Sequence, residues 1–382
     1  MPRLLSVVAL LACAVLGVSA QRSAPAPAQA PIRISYLYSD GNISGTLKAF
    51  KALLQERPDL RNRVALSFIT ESMLPDVKLE DVTKSNILVL DVMNQQMLER
   101  VNKEKNVDLI AAVRRQGKVL AVGEGLLPKE HYTKQGALWD PRARTYWAHM
   151  GAANQVALLK YALTQAGVTG LSIPDPQPSM DFGYYYPAVD RPGAPRAAGQ
   201  VFQTWEQFTA WRQKNGKLRP GAPRIAIGFY KAAYYGDETE LIDAVIANIE
   251  RRGAEAIPIF GYPGDVATAR LLVDASGKSR ADAMLGFFFN FAGPDSSGYL
   301  ARVDIPIINL ISLYGRSESE WRSSPMGLSF FEGTFNVAVP ELAGTIAPTV
   351  VGSQEKLRDP DTGMTVVVRR PILPQISMAV GR

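Results

Sequence analysis

The feature that most constrains the fold of this chain is a repeated alternation of short apolar strands and amphipathic helices. In the first half, strands are predicted at 32–38, 64–70, 86–91 and 118–122, with helices at 46–57 and 95–103. In the second half, strands are predicted at 224–230, 256–260, 283–290 and 305–310, with helices at 238–251 and 267–273. Apolar strands separated by helices are typical of parallel sheets that are covered on both faces. The chain is therefore predicted to be α/β, with two doubly wound parallel-sheet domains of the Rossmann-like kind.

The two predicted domains are separated by a stretch of different composition. Residues 174–195 are rich in proline and glycine and carry the aromatic run Tyr184–Tyr186, which we interpret as an irregular crossing. A long helix at 151–165 precedes this crossing, and an amphipathic helix at 204–214 follows it. We therefore place the first domain at 32–173, the inter-domain segment at 174–222 and the second domain at 223–382.

The N-terminus has the three parts of an export signal. Arg3 supplies a positive start, residues 4–18 are almost unbroken apolar sequence, and small residues at 18–20 offer a cleavage site. The apolar run is shorter than the roughly 20 residues that span a bilayer. We therefore assign 1–20 as a signal peptide and 21–31 as an Ala/Pro-rich linker, and we expect the folded protein in the periplasm or outside the cell.

Cys13 bears on both membrane anchoring and stability. Leu10–Cys13 loosely resembles a lipoprotein box, so a lipid anchor on Cys13 is the alternative to a secreted chain. Cys13 is also the only cysteine. Cleavage after Ala20 would therefore leave a chain without disulfides or cysteine metal ligands, whose stability must come from packing.

The composition disfavours several other classes of protein. The net charge is +6, and the basic residues are scattered without an aromatic platform, so nucleic-acid binding has little support. His131 and His149 are the only histidines and lack metal-ligand spacing, so no metal site is predicted. Gly277–Ser279 lacks the earlier glycine of a phosphate-binding loop, and Gly123–Gly125 is followed by a proline-containing stretch that does not begin a helix. Neither nucleotide-binding motif is therefore present.

One loop is predicted to carry a ligand site. It leaves the 224–230 strand just before a helix, at the edge where doubly wound sheets usually bind ligands. Tyrosine faces can stack on a flat conjugated ring while the charged groups pair with its substituents. The candidate substrate-binding residues are Tyr230, Lys231, Tyr234, Tyr235 and Asp237. The alternative is that the tyrosines pack at the inter-domain seam while Asp237 caps the helix. No catalytic residue is assigned.

Several segments also resemble one known family. They are 202–208, 223–230, 241–246, 252–260 and, most specifically, 320–328 with 336–346, which contain Trp321, a Gly-Leu pair and the sequence Pro-Glu-Leu-Ala-Gly. Together they resemble the N-terminal portion of the cobaltochelatase large subunit (CobN), whose family includes the porphyrin-binding H subunit of magnesium chelatase. The resemblance covers most of the chain after the linker. It implies a subunit that holds a corrin or porphyrin ring and a divalent metal such as cobalt, while separate AAA+ subunits hydrolyse ATP.

The chain also departs from that family. It has Tyr186-Pro187-Ala188 where relatives often have His-Pro-Asp, and it carries the export signal. It ends at Arg382, before the longer body that is thought to contain the insertion site. We therefore transfer no catalytic residue and expect the catalytic body to be absent.

Two functions fit these observations. The first is a CobN-like subunit that handles a tetrapyrrole and metal in cobalamin or haem metabolism as an exported binding component. The second is a non-catalytic periplasmic module for a tetrapyrrole, a small ligand or a protein partner. Expected partners are AAA+ chelatase subunits or an uptake receptor, with no intrinsic cofactor, no nucleic acid and no transmembrane segment after the signal. ATP and AAA+ proteins are cytoplasmic, so export favours binding over energised insertion. A two-lobed solute receptor would share the architecture but would not explain the Pro-Glu-Leu-Ala-Gly segment.

Overall fold

The computed structural model describes residues 30–188, 199–262, 264–287 and 296–382. The predicted signal peptide (1–20) and nearly all of the predicted linker (21–31) lie outside the described residues, as does the end of the strand predicted at 283–290. Among the helices within the described ranges, none combines the length and the apolar character needed to cross a membrane.

The first half of the chain forms a four-stranded, fully parallel sheet with the strand order β2-β1-β3-β4. Its strands are β1 (Ile32–Leu37), β2 (Val64–Ile69), β3 (Ile87–Asp91) and β4 (Lys118–Val122). Its helices are α1 (Ile43–Glu56), α2 (Leu79–Thr83), α3 (Gln95–Glu104), α4 (Leu109–Arg114), α5 (Lys129–Lys134), α6 (Pro141–His149) and α7 (Gly151–Gln165). Every residue of β3 is buried, because α1 and α7 cover one face of the sheet while α3 and α4 cover the other.

The second half forms an eight-stranded sheet with the order β12-β11-β10-β9-β7-β8-β5-β6. Its strands are β5 (Phe182–Tyr186), β6 (Gln200–Phe202), β7 (Arg224–Phe229), β8 (Glu255–Gly261), β9 (Ala283–Gly286), β10 (Ile307–Ser312), β11 (Ile346–Arg358) and β12 (Thr365–Pro371). The five strands from β11 to β8 in this order pair in parallel, whereas β5, β6 and β12 run antiparallel at the two edges.

Helices connect and cover the strands of this second sheet. They are α8 (Trp205–Lys214), α9 (Lys231–Tyr235), α10 (Glu240–Arg251), α11 (Gly264–Leu272), α12 (Ser296–Ala301), α13 (Glu318–Ser323), α14 (Phe330–Gly333), α15 (Val339–Leu342) and α16 (Leu373–Gly381). A π-helical turn, Thr334–Ala338, joins α14 to α15. Helices α10 and α16 pack on one face of the sheet, and α8 and α11 pack on the other.

The predicted α/β fold with two doubly wound sheets is confirmed, and α7 has the predicted bounds. The prediction of an irregular crossing at 174–195 is wrong for 182–186, because these residues form β5 and pair with β8. Tyr184–Tyr186 are buried there, and aromatic side chains pack well on both faces of a strand. The antiparallel pair β11–β12 was not predicted, so the second sheet is mostly rather than wholly parallel.

The β11–β12 hairpin joins the second sheet to the first half of the chain. Val366 and Val367 of β12 pack in the same hydrophobic core as α1 and α7. Lys51 of α1 forms ion pairs with Asp359 and, at 2.7 Å, with Asp361 in the hairpin loop. The hairpin therefore packs against the face of the first sheet that α1 and α7 cover.

Candidate functional site

The predicted ligand loop lies at the carboxyl edge of the second sheet, immediately after β7. Within this loop, Tyr230 lines a cavity between β7, β10 and α10. Its ring lies 6.3 Å from the ring of Tyr262, which follows β8 and is 55% exposed. Tyr230 is therefore the predicted site residue that the structure places at a cavity.

The other two tyrosines of the loop turn toward the interior. The Tyr234 ring stacks on Phe260 with the centroids 5.9 Å apart. The Tyr235 hydroxyl accepts a hydrogen bond of 2.7 Å from the Met180 backbone N–H. Burial raises the pKa of both phenols. Both rings pack against the core of the second sheet. Tyr235 also bonds to Met180 of the inter-domain segment, which resembles the alternative in which the tyrosines pack at the inter-domain seam.

The two charged residues of the loop form ion pairs with other elements. Lys231 donates to Asp181 at 2.7 Å. Asp237 has a φ of +57° and pairs with Lys48 of α1, in the first half of the chain. Thr239, rather than Asp237, is the residue that precedes α10. Asp237 thus contributes to the contact between the two halves and does not cap the helix.

The cavity beside Tyr230 has a volume of about 140 Å³ and is lined by residues of two chemical kinds. Its apolar lining includes Phe229, Ala233, Leu241, Ile242 and Leu310. Its polar lining consists of Glu238, Ser312, Tyr314, Asn336, Gln354 and Arg369. Convergent polar groups on an otherwise apolar wall are characteristic of ligand sites.

Four of these polar side chains have unmet hydrogen-bonding capacity. Within the described ranges, neither carboxylate oxygen of Glu238 has a hydrogen-bond partner, and the same is true of Ser312 Oγ, Asn336 Nδ2 and Arg369 Nε. Arg369 Nε lies 3.6 Å from Glu238 Oε2, which is an ion-pair distance rather than a hydrogen bond. Buried polar groups are normally satisfied, so this concentration in one cavity points to a missing ligand or bound water.

Glu238 is the most buried charged group in this cavity, with 8% of the residue exposed. Burial raises the pKa of its carboxyl to about 7, although Arg369 acts in the opposite direction. Ser44 also lowers this pKa without reaching hydrogen-bond geometry. The carboxyl is therefore poised to be either neutral or ionised near neutral pH.

A second group of buried carboxyls lies where the two sheets meet. Tyr314, just after β10, donates to Glu71, just after β2. Glu71 also accepts from the Asp40 backbone N–H at 3.0 Å, and Asp40 accepts from the Ser72 hydroxyl at 2.7 Å. Burial, followed by the Asp40 charge, raises the pKa of Glu71 to about 7. Across the part of the chain that the structure describes, no three His, Cys, Asp or Glu side chains are arranged to hold a metal ion.

A family model described as CobN/magnesium chelatase matches residues 144–382, which is more than half of the chain. The chain belongs to this family. The matched region includes the whole second sheet and every residue that lines the cavity. The segment 336–346, which carries the most specific resemblance, starts at the cavity residue Asn336.

Individual relatives agree with this family assignment. The chain is 30% identical over 211 residues to the chloroplastic magnesium-chelatase subunit ChlH of Oryza sativa, covering 52% of this chain and 14% of that protein. It is 26% identical over 251 residues to the aerobic cobaltochelatase subunit CobN of a Sinorhizobium species, covering 63% of this chain and 19% of that protein. The chain thus spans less than a fifth of the length of these curated relatives.

A solved structure shares the fold. The catalytic subunit of cobaltochelatase from Mycobacterium tuberculosis superposes with a TM-score of 0.52 at 21% identity, covering 92% of this chain and 27% of that one. Because the superposition covers 92% of this chain, it includes both sheets.

Sequence reasoning missed most of the polar lining of the cavity. Glu238 is the second carboxylate of the predicted loop and the first residue of the helix predicted at 238–251, but it is not among the five candidate site residues. Ser312 lies just after the strand predicted at 305–310, and Asn336 is the first residue of the family segment 336–346. Arg369 is one of the scattered basic residues, next to Arg370, and nothing in the local sequence separates it from the others. Asn336 alone carried a usable signal, since it begins the family segment.

Proposed function

We propose that this chain is a CobN-like binding component that handles a tetrapyrrole, a corrin or a porphyrin, and its metal outside the cytoplasm. The observation that carries the proposal is the family match across the whole second sheet, including its polar cavity. The relatives are named as chelatase subunits for magnesium and cobalt. Both the ring and the metal are substrates in this proposal, in cobalamin or haem metabolism.

The size of the cavity limits how such a ring is bound. At about 140 Å³ it is smaller than the roughly 300–1,000 Å³ of ordinary small-molecule pockets. A macrocycle therefore lies outside it, against the rings of Tyr230 and Tyr262, and only a substituent on the ring edge enters. Tyrosine faces stack favourably on a conjugated ring.

The export signal supports binding rather than ATP-driven insertion. The segment 1–20 has the composition of a removable signal, and a chain delivered to the periplasm does not meet cytoplasmic ATP or AAA+ subunits. An uptake receptor is then the more suitable partner. Cell fractionation that recovers a shortened chain in the periplasm supports this address, and recovery of the uncleaved chain in the cytoplasm contradicts it.

A spectroscopic titration tests ring binding directly. The purified protein is titrated with hydrogenobyrinic acid diamide, haem and protoporphyrin, and the absorbance of each ring is followed. We expect a saturable spectral change with at least one ring. The absence of any change with all three contradicts the proposal.

Single variants then locate the binding surface. Tyr230→Ala and Tyr262→Ala are each expected to weaken ring binding about fivefold to tenfold, because each removes one stacking face. Phe330→Ala is the matched control, since Phe330 is 87% exposed and does not line the cavity. Unchanged affinity in both tyrosine variants contradicts the proposed surface. Tyr234→Ala is expected to reduce stability instead, because that ring packs on Phe260.

A further inference from the structure

The unmet polar groups of the cavity include both hydrogen-bond donors and acceptors. Asn336 Nδ2 and Arg369 Nε can only donate, whereas the oxygens of an ionised Glu238 can only accept. Ser312 can do either. No hydrogen bond within the described residues satisfies any of them. A ligand that complements the cavity must therefore present an acceptor and an N–H donor side by side.

While Glu238 is ionised, which its pKa of about 7 places above neutral pH, the charge of the cavity selects a neutral ligand. Glu238 and Arg369 lie at ion-pair distance, so their charges already oppose each other. A carboxylate ligand would meet the Glu238 carboxylate, and an ammonium ligand would meet the Arg369 guanidinium. Either ligand would bring its own charge against a like charge of the protein, and the cost is greatest at Glu238, whose side chain is 5% exposed.

The cavity volume and the apolar lining limit the size of the part of the ligand that makes no hydrogen bonds. The cavity volume of about 140 Å³ is close to the ~150 Å³ of an apolar cavity that accepts benzene in another protein. Leu241, Ile242 and Leu310 form part of that lining and are at most 4% exposed. A short hydrocarbon group would pack against this lining.

We propose that this cavity binds a primary carboxamide that carries a short apolar group. The amide oxygen accepts from Asn336, Arg369 or Ser312, and the amide N–H groups donate to Glu238. The amide belongs either to a free small molecule or to a substituent of a larger ligand. The inference does not depend on ring binding, because the free amide can be tested alone.

Three probes of similar size separate the charge classes. At about pH 8.5, where Glu238 is ionised, butyramide, butyrate and butylammonium are titrated into the full chain labelled at its Ala, Ile and Leu methyl groups. The methyl signals of Ala233, Ile242 and Leu310 are followed by NMR. Butyramide is expected to bind at least about tenfold more tightly than either charged probe. Butyrate or butylammonium binding as tightly as butyramide overturns the proposal.

Two pairs of variants test the location. Ala233→Leu fills the cavity and is expected to abolish butyramide binding, whereas Ala232→Leu, on the same helix but outside the cavity, is expected to retain it. Ser312→Ala removes one hydrogen bond and is expected to weaken binding about threefold to tenfold. Ser179→Ala is its control, since Ser179 Oγ is also unpartnered but does not line the cavity. Binding that survives Ala233→Leu overturns the assignment.

Competition identifies the source of the amide. If a ring that binds the protein displaces butyramide, the amide is a substituent of that ring. If the ring binds without displacing butyramide, or if no ring binds, the ligand is a free small amide. Failure of the tetrapyrrole titration therefore leaves this inference intact, and failure of all three small probes refutes it without refuting ring binding at the tyrosine surface.

Discussion

Replacing Glu238 by glutamine is predicted to stabilise the protein at alkaline pH. The carboxyl is buried, and neither of its oxygens has a hydrogen-bond partner within the described ranges. Burial is the main reason that its pKa rises from 4.5 to about 7, and this value already includes the opposing effect of Arg369. Ionisation of Glu238 in the folded protein is therefore costly.

Proton linkage gives the sign and size of the effect. Between pH 4.5 and about 7 the folded protein holds a proton on Glu238 that the unfolded chain releases. The corresponding stability is fully present below pH 4.5 and is lost as the pH rises through 7. A pKa difference of about 2.5 corresponds to about 3 kcal/mol in the free energy of unfolding. Glutamine has the same shape and cannot ionise, so the variant does not incur this loss.

Urea unfolding followed by tryptophan fluorescence measures the effect across a pH series from about 4.5 to 8.5. Burial also raises the pKa of Glu71 and Asp91 to about 7, so the stability of both proteins is expected to fall with pH. The difference in the free energy of unfolding between Glu238→Gln and the wild type isolates the contribution of Glu238. This difference is expected to be small at the acidic end of the series and about 3 kcal/mol in favour of the variant at the alkaline end. Glu80→Gln changes an exposed carboxylate, so its free energy of unfolding is expected to change with pH in parallel with that of the wild type. If the free energy of unfolding of Glu238→Gln also runs parallel to that of the wild type, ionisation of Glu238 in the folded protein is not costly.

Two further substitutions test buried features elsewhere in the fold. Arg212 and Glu255 form an ion pair of 3.4 Å, and their side chains are 1% and 7% exposed. Arg212→Met leaves the buried Glu255 carboxylate without this partner, so it is expected to lower the free energy of unfolding in urea by about 3–5 kcal/mol. A loss below about 1 kcal/mol contradicts this. Gly123 has a φ of +78°, and a Cβ there would lie 2.2 Å from Asp91 Oδ1. Gly123→Ala is therefore expected to lower the melting temperature more than Gly167→Ala, which has a φ of +94° but open space around it. Equal losses would show that the contact with Asp91 is unimportant.

The fold was predictable because its signals are local. Each strand of the first sheet is a short apolar run, and α7 shows its bounds through helical spacing and the glycines at both ends. The run Tyr184–Tyr186 was misinterpreted because neighbouring proline and glycine suggested a loop. Its strand identity depends on pairing with β8, which lies more than 70 residues further along the chain.

The candidate site was predictable only at its edge. The end of β7 directed attention to the carboxyl edge of the sheet, where ligand sites gather and where Tyr230 lines a cavity. The sequence did not reveal that Tyr234 and Tyr235 face inward, because an aromatic residue can fill either a core or a pocket wall. Their partners Phe260 and Met180 come from distant segments.

Arg369 shows why the polar lining of the cavity depends on long-range topology. It reaches the cavity because β12 turns back antiparallel to β11, which sets Arg369 opposite Gln354, another residue of the cavity wall. In the same hairpin, Val366 and Val367 pack in the core of the first sheet. The backbone of Gly41, after β1, approaches Arg369 so closely that a Cβ there would lie 2.9 Å from Nη2. The guanidinium is thus held between the first sheet and Glu238, so a ligand that bonds to Arg369 would also stabilise the contact between the two halves of the chain.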